Sequence, residues 1–120
     1  MQAYDDQTLT EPDQKPDSPS VLSESEALAA IQELKKELIN CGEATVLFGQ
    51  PRGNGLDSSL GAIEQTFDGI PLYATINSRA AHLLYFIIKN HPFTDGNKRI
   101  GSFLFLLYLE KNKSSYLAGT

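Results

Sequence analysis

Nine consecutive residues combine side-chain types that suit chemistry on phosphates. The run is His91-Pro92-Phe93-Thr94-Asp95-Gly96-Asn97-Lys98-Arg99. The His91 imidazole can accept a proton near neutral pH, and the Asp95 carboxylate suits Mg²⁺, which binds through one or two carboxylates plus substrate phosphates. Gly96 lets a helix start approach an anion closely, while Lys98 and Arg99 add cations. This combination predicts phosphoryl or nucleotidyl transfer, in which positioning and charge neutralisation do most of the work.

Each of these residues also has a structural interpretation. A histidine at the end of a helix often interacts only with the helix dipole, and Asp95 can cap the helix that follows it. Cations at a helix start oppose the dipole, so Lys98 and Arg99 indicate an anionic partner. We therefore favour a functional role for the cations and for His91, and a shared role for Asp95. The other histidine, His82, lies in an apolar stretch and is expected to have a packing role.

Two apolar segments flank this run and are expected to position it. Residues 80–88 leave almost no polar face, which predicts a central buried helix capped by Asn77 or Ser78. This helix must end before the proline of the run, because the residue before a proline avoids the helical conformation. Residues 103–109 are again apolar and predict a second buried helix that ends near Asn112.

A helix and a turn-rich connection precede these segments. Ser23 followed by Glu26 has capping-box spacing, and apolar residues then recur every three or four positions, which predicts a helix over residues 25–39. Glycines and a proline predict a surface loop over residues 49–59. A short helix is expected over residues 60–65.

A β-hairpin is predicted next, over the sequence Thr66-Phe67-Asp68-Gly69-Ile70-Pro71-Leu72-Tyr73. The Asp-Gly dipeptide between short apolar segments favours a tight hairpin turn. Pro71 cannot donate a hydrogen bond in a ladder and indicates an exposed edge. The predicted fold is therefore mainly α, with one small hairpin.

The charge of the chain is concentrated at its N-terminus. The net charge is −5, of which residues 1–26 carry −6 and the remaining 94 residues +1. Residues 1–20 are polar and contain three prolines, so we predict a flexible acidic tail followed by one domain over residues 21–120. The near-neutral body argues against nucleic-acid binding through a basic field.

No apolar run approaches the ~20 residues that span a bilayer, and the N-terminus does not resemble a secretion signal. We therefore expect a cytoplasmic protein with no membrane partner. Cys41 is the single cysteine, which excludes an internal disulfide framework. It is expected to be a buried free thiol.

The run around His91 resembles the Fic/Doc signature, His-x-Phe-x-Asp/Glu-Gly/Ala-Asn-Gly/Lys-Arg, and matches it at every named position. The resemblance extends from about Leu60 to Asn112 and implies a helical core with a β-hairpin flap. Family domains normally continue with another helix after the motif helix, so truncation at the C-terminus is one interpretation of the chain's length.

The resemblance implies a role for each matched residue. His91 would deprotonate a target hydroxyl, Asp95 would bind the metal that bridges ATP phosphates, Gly96 and Asn97 would line the anion hole, Arg99 would hold the phosphates beside Lys98, and Phe93 would anchor the loop in the core. The hairpin would be the flap that aligns an extended segment of a target protein by strand addition. Its candidate target-binding residues are Phe67, Asp68, Gly69, Ile70, Leu72 and Tyr73.

The reaction implied is transfer of AMP to a Ser, Thr or Tyr hydroxyl of a protein, with ATP and Mg²⁺ as cofactors. Lys98 and Ser102 resemble instead the death-on-curing branch, which transfers the γ-phosphate, because many AMP-transferring members have glycine and a second arginine there. Gly96 agrees with AMP transfer, since the death-on-curing branch has alanine. A non-catalytic nucleotide-binding or interaction module is the third hypothesis. The resemblance also raises an antitoxin, as in toxin–antitoxin pairs, or a second copy of the chain as partners.

Overall fold

The structure is a computed structural model that describes residues 21–113. This part of the chain contains four helices and one small sheet. In chain order they are α1 (Glu24–Asn40), α2 (Gly55–Ala62), the strands β1 (Thr66–Phe67) and β2 (Ile70–Pro71), α3 (Ile76–Asn90) and α4 (Asn97–Lys111). The mainly helical fold with one hairpin is thus confirmed. Residues 1–20, for which we predict a flexible tail, lie outside the described residues. No helix within the described part is long and apolar enough to cross a membrane.

The centre of the fold is the packing of α3 against α4. Apolar residues that recur every three or four positions on both helices are completely buried, among them Ala80, Leu83, Ile87, Ile100 and Leu104. The prediction of two wholly buried helices is nevertheless wrong, because Tyr85 on α3 is 53% exposed and Leu106 on α4 is 62% exposed. Each helix therefore has one solvent-facing side.

The start of α1 agrees with the sequence pattern. The Glu26 N–H donates to Ser23 Oγ at 3.1 Å, and the Ser23 N–H donates to Glu26 Oε1 at 3.0 Å, which completes the capping box. Lys111 Nζ lies 2.6 Å from Glu26 Oε2 and links α1 to the end of α4. The hydrogen bonds from Lys111 and from the Ser23 N–H lower the pKa of Glu26.

The cap of α3 and the bounds of α2 differ from the expectation. Thr75, not Asn77 or Ser78, caps α3: its extended backbone is that of an N-cap, and its Oγ1 accepts the Ser78 N–H at 3.0 Å. The short helix, α2, lies at Gly55–Ala62 instead of 60–65. It packs against α3, and this contact outweighs the low helix propensity of its two glycines.

Cys41 is exposed, so the prediction of a buried thiol is wrong. It is the C-cap of α1, and its N–H donates to the Glu37 carbonyl at 3.1 Å. The chain then leaves the helix through Gly42, whose φ is +74°. The thiol therefore lies at a solvent-facing helix end and not on the face of α1 that packs on the core.

The predicted hairpin is present. Thr66 pairs with Pro71 and Phe67 with Ile70, in antiparallel register. Asp68 and Gly69 form the turn with φ values of 56° and 77°, the left-handed pair that a tight hairpin turn requires.

A buried polar network lies behind the hairpin. Arg79, only 4% exposed, donates through Nη1 to Glu64 Oε1 at 3.1 Å and through Nε to the Tyr73 carbonyl at 2.8 Å. The Tyr108 hydroxyl donates to Glu64 Oε2 at 3.1 Å, so α4 joins the same network. Burial, followed by the charge of Glu64, raises the pKa of Tyr108 to about 12.

Candidate functional site

The predicted chemical residues lie on the connection between α3 and α4 and on the first turn of α4. We call residues 91–96 the motif loop. It begins at His91, which ends α3 in a left-handed conformation, φ 49° and ψ 60°, and it ends at Gly96, with φ 86°. Phe93 between them is completely buried, so its side chain holds the loop against the core.

The Asn97 side chain closes the motif loop. Its Oδ1 accepts the Phe93 N–H at 3.0 Å, and its Nδ2 donates to the Phe93 carbonyl at 2.8 Å. Because these two bonds occupy both ends of the amide, an anion would meet the backbone N–H of Asn97. No side chain among the described residues caps α4, so the N–H groups of its first turn are available to an anion.

A cleft of about 590 Å³ opens at this end of α4. Seven candidate residues of the motif line it, namely His91, Phe93, Asp95, Gly96, Asn97, Lys98 and Arg99. The structure therefore brings together the proposed base, metal ligand, anion hole and cations. The volume of the cleft lies in the range of small-molecule and cofactor sites.

The side chains of His91 and Asp95 are exposed in this cleft. Within residues 21–113 neither side chain forms a hydrogen bond or an ion pair, so both can meet a ligand. The same residues contain no group of three or more His, Cys, Asp or Glu side chains that could hold a metal ion. Asp95 could therefore serve as the one protein carboxylate of a Mg²⁺ ion whose other ligand oxygens come from water and substrate phosphates.

One wall of the cleft comes from residues 48–52, which we call the strap. Three backbone hydrogen bonds join the strap to the motif loop: Gly49 N–H to Asp95 O at 3.0 Å, Thr94 N–H to Gln50 O at 2.8 Å, and Arg52 N–H to Pro92 O at 2.8 Å. The prediction of a surface loop over residues 49–59 is confirmed for the exposed residues 50–54, part of which pairs with the motif loop, and is wrong from Gly55, where α2 begins.

Gly96 is required by its surroundings. Its φ of 86° disfavours any residue with a side chain, and a Cβ at this position would overlap the Phe48 ring of the strap. The signature allows glycine or alanine, but in this chain only glycine fits. The close approach of Phe48 and Gly96 fixes the strap against the start of α4.

Charges of both signs meet in the cleft. Arg52, Lys98 and Arg99 line it together with the carboxylates of Glu43 and Asp95. Arg99 Nη1 lies 3.6 Å from Glu43 Oε1, and both side chains are more than half exposed. Exposed ion pairs of this kind contribute little, so a phosphate can replace Glu43 at Arg99.

Three of the lining residues, Glu43, Phe48 and Arg52, are not predicted from the sequence. They lie about forty residues or more before the motif, in a stretch whose only signal is the turn-like composition Gly49-Gln50-Pro51-Arg52-Gly53. Nothing local in that composition indicates pairing with the motif loop.

The six predicted flap residues do not line the cleft. They precede the N-terminus of α3, whereas His91 follows its C-terminus, and a 15-residue helix rises about 22 Å. Phe67, Ile70 and Leu72 are exposed, while the Tyr73 ring stacks on His82 at 4.1 Å between centroids. His82 thus packs within the fold, and target binding by the hairpin stays a prediction.

Comparison with known proteins identifies a family. The family model described as Fic/DOC family matches residues 22–109, which include the strap, the motif loop and nearly all of α4. No curated protein and no solved structure matches significantly.

Proposed function

This chain belongs to the Fic/DOC family, whose model covers residues 22–109, and we propose that it transfers AMP from Mg-ATP to a Ser, Thr or Tyr hydroxyl of a target protein. One observation carries the proposal: a single cleft combines His91, Asp95 and the cations Lys98 and Arg99 at an uncapped helix N-terminus. A base, a metal ligand and an anion site are the groups that this transfer needs.

The nucleotide would bind through its phosphates. Free N–H groups at the start of α4 and the positive end of the helix dipole favour an anion, and Lys98 and Arg99 add full charges. Arg99 would exchange the carboxylate of Glu43 for phosphate oxygens when ATP binds. Mg²⁺ at Asp95 and the phosphates would neutralise part of the negative charge that develops during transfer.

The reacting proton would go to His91. The target hydroxyl would give its proton to the imidazole as its oxygen attacks the α-phosphorus. The bond from the α-phosphorus to the bridging oxygen then breaks and pyrophosphate leaves, so AMP stays on the target oxygen. The side chain of His91 has no hydrogen-bond partner among the described residues, which supports this role because its imidazole can accept a proton from the substrate.

Phosphorylation is the second candidate function. Lys98 in the first turn of α4, together with Ser102 in place of an arginine, favours transfer of the γ-phosphate. In that reaction the same hydroxyl attacks the γ-phosphorus and ADP leaves. The requirement for glycine at Gly96 supports AMP transfer instead, because the γ-phosphate-transferring branch has alanine there.

Target recognition would use the hairpin. Phe67 and Ile70 are 74% and 67% exposed, and the outer edges of their two-stranded sheet pair with no other strand of residues 21–113, which suits an extended target segment with apolar side chains. Replacing both with serine is expected to lower labelling of the target about tenfold and to leave ATP affinity unchanged. Labelling by this variant at the wild-type level would show that the hairpin does not bind the target.

The decisive experiment labels ATP separately at its α- and γ-phosphates and incubates it with the full chain, Mg²⁺ and a cell lysate. We expect protein labelled from the α-phosphate. Label from the γ-phosphate alone would establish the second candidate. ATP binding without any label on protein would contradict both and indicate a non-catalytic module.

Two variants control this experiment. H91A is expected to bind ATP like the wild type and to label no protein. K36M removes an exposed charge on α1, outside the cleft, and is expected to retain labelling. Labelling by H91A at the wild-type rate would show that His91 is not the base.

A further inference from the structure

We infer that Arg52 is the positioning residue for His91, because its side chain holds the left-handed backbone conformation that directs the imidazole into the cleft. This inference rests on the proposed function, since it concerns how the base of that reaction is held. Arg52 comes from the strap, about forty residues before the motif, and the sequence pattern gives it no role.

The backbone of His91 needs an external support. Its φ of 49° and ψ of 60° lie in the left-handed region, which is unfavourable for a residue with a side chain. The following residue, Pro92, disfavours the right-handed helical conformation at His91. An extended conformation is therefore the main competitor, and some contact must select the left-handed one.

Arg52 makes the contacts that select it. Its Nη2 donates to the His91 carbonyl at 3.0 Å, and its own N–H donates to the Pro92 carbonyl at 2.8 Å. Among the described residues no other group donates to either carbonyl. The His91 N–H donates to the Ile87 carbonyl at 3.1 Å, so α3 fixes one side of His91 and Arg52 fixes the other.

The backbone is what orients the imidazole. The His91 side chain is exposed and has no hydrogen-bond partner within residues 21–113, so no neighbour sets its direction. The direction of its Cα–Cβ bond depends on the backbone angles that the Arg52 contacts select. Moving a reacting group by about 1 Å can cost about a hundredfold in rate.

The strap, which carries Arg52, packs closely against α1. A Cβ on Gly49 would lie 2.8 Å from Ile31 Cγ2, which shows how closely the strap approaches α1. Lys35 on α1 also donates to the Val46 carbonyl, just before the strap. The segment that leads to Arg52 is therefore packed against α1, and Arg52 itself is bonded to the motif loop.

Arg52 also lines the cleft, so the test must separate positioning from phosphate binding. The full chain would be prepared as R52M and R52K, with K98M as a cleft cation that does not contact His91. K36M, which removes an exposed charge on α1, is the matched control. The readouts are kcat, the KM for ATP, the Kd of ATP, and the ¹³Cα and ¹³Cβ chemical shifts of His91.

We expect R52M to lower kcat at least about tenfold, with less than about a threefold change in the Kd of ATP. Its His91 shifts should move from left-handed towards extended values. R52K keeps the charge but not the planar fork, so it should restore kcat only in part. K98M should weaken ATP binding and leave the His91 shifts unchanged, and K36M should change nothing.

Two results would overturn the inference. One is a wild-type kcat in R52M. The other is a large rise in the Kd of ATP that R52K reverses while the His91 shifts stay constant, since Arg52 would then be a phosphate ligand. If the wild type transfers no label, the proposed function fails, but the His91 shifts of R52M still test the positioning role.

Discussion

The two ends of α3 are held in different ways. At its C-terminus, backbone hydrogen bonds join the strap to the motif loop, and the side chains of His91 and Asp95 have no partner within residues 21–113. At its N-terminus, the side chains of Arg79, Glu64 and Tyr108 bond to one another behind the hairpin. Chemistry needs free side chains on a fixed backbone, which is the first arrangement. The second stabilises the fold, because its polar side chains bond to one another.

The difference predicts that substitutions at one end change stability and that substitutions at the other change activity. R79M should give the largest effect on stability. It leaves the partly buried carboxylate of Glu64 without its cation, which we expect to lower the free energy of unfolding by about 3 kcal/mol. Urea denaturation measures this, and ATP binding by the folded variant should be unchanged. K36M removes an exposed pair and should cost less than about 0.5 kcal/mol. An unchanged midpoint in R79M would refute a structural role for the network.

Among substitutions in the cleft that leave stability unchanged, D95N should cause the largest loss of ATP binding and label transfer. The exposed Asp95 side chain has no partner within residues 21–113, so the melting temperature should not change. Mg²⁺-dependent ATP binding and label transfer should both fall about a hundredfold, because the metal loses its protein carboxylate. D57N, at an exposed carboxylate on α2, is the matched control. Label transfer by D95N at the wild-type rate would show that Asp95 is not the metal ligand.

G96A is expected to affect both properties at once. The left-handed φ and the overlap with Phe48 should destabilise the fold by about 2 kcal/mol, and movement of the strap should lower transfer further. G61A is the matched control, since a Cβ on that helical glycine meets no atom within 4 Å. It should be neutral or slightly stabilising. Equal melting temperatures for G96A and G61A would contradict the packing described for the strap.

The smallest effect is expected from alkaline pH. The pKa of Tyr108 is raised from 10 to about 12 in the folded chain, so the neutral phenol favours folding. This contribution is complete below pH 10 and is lost as the pH rises from about 10 to 12. Unfolding curves at pH 9 and pH 11 should show a steeper loss of stability in the wild type than in Y108F. Parallel losses in the two proteins would show that Tyr108 titrates normally.

Features that depend on neighbours in sequence could be predicted. The capping box at Ser23, the Asp-Gly turn and the apolar spacing of α3 and α4 are local patterns, and the structure contains each of them. The motif run is also local, so the candidate site could be identified without a structure. Local chemistry therefore gives the element types and the position of the cleft.

Features that depend on long-range contacts could not be predicted. The strap pairs with residues about forty positions away and has no periodic pattern, so its glycines and proline indicate only a loop. The burial of Arg79 could not be predicted either, because its ion-pair partner Glu64 lies in the turn after α2 and Tyr108, which bonds to Glu64, lies on α4. Thr75, Asn77 and Ser78 are all acceptable caps, and the backbone at the start of α3 decides among them.

The most direct test of the central claim is transfer of label from the α-phosphate of ATP to protein by the wild type and by H91A, with ATP binding measured for both. We predict labelled protein with the wild type, none with H91A, and equal ATP affinity. Equal ATP binding without label from either protein would contradict AMP transfer by this cleft.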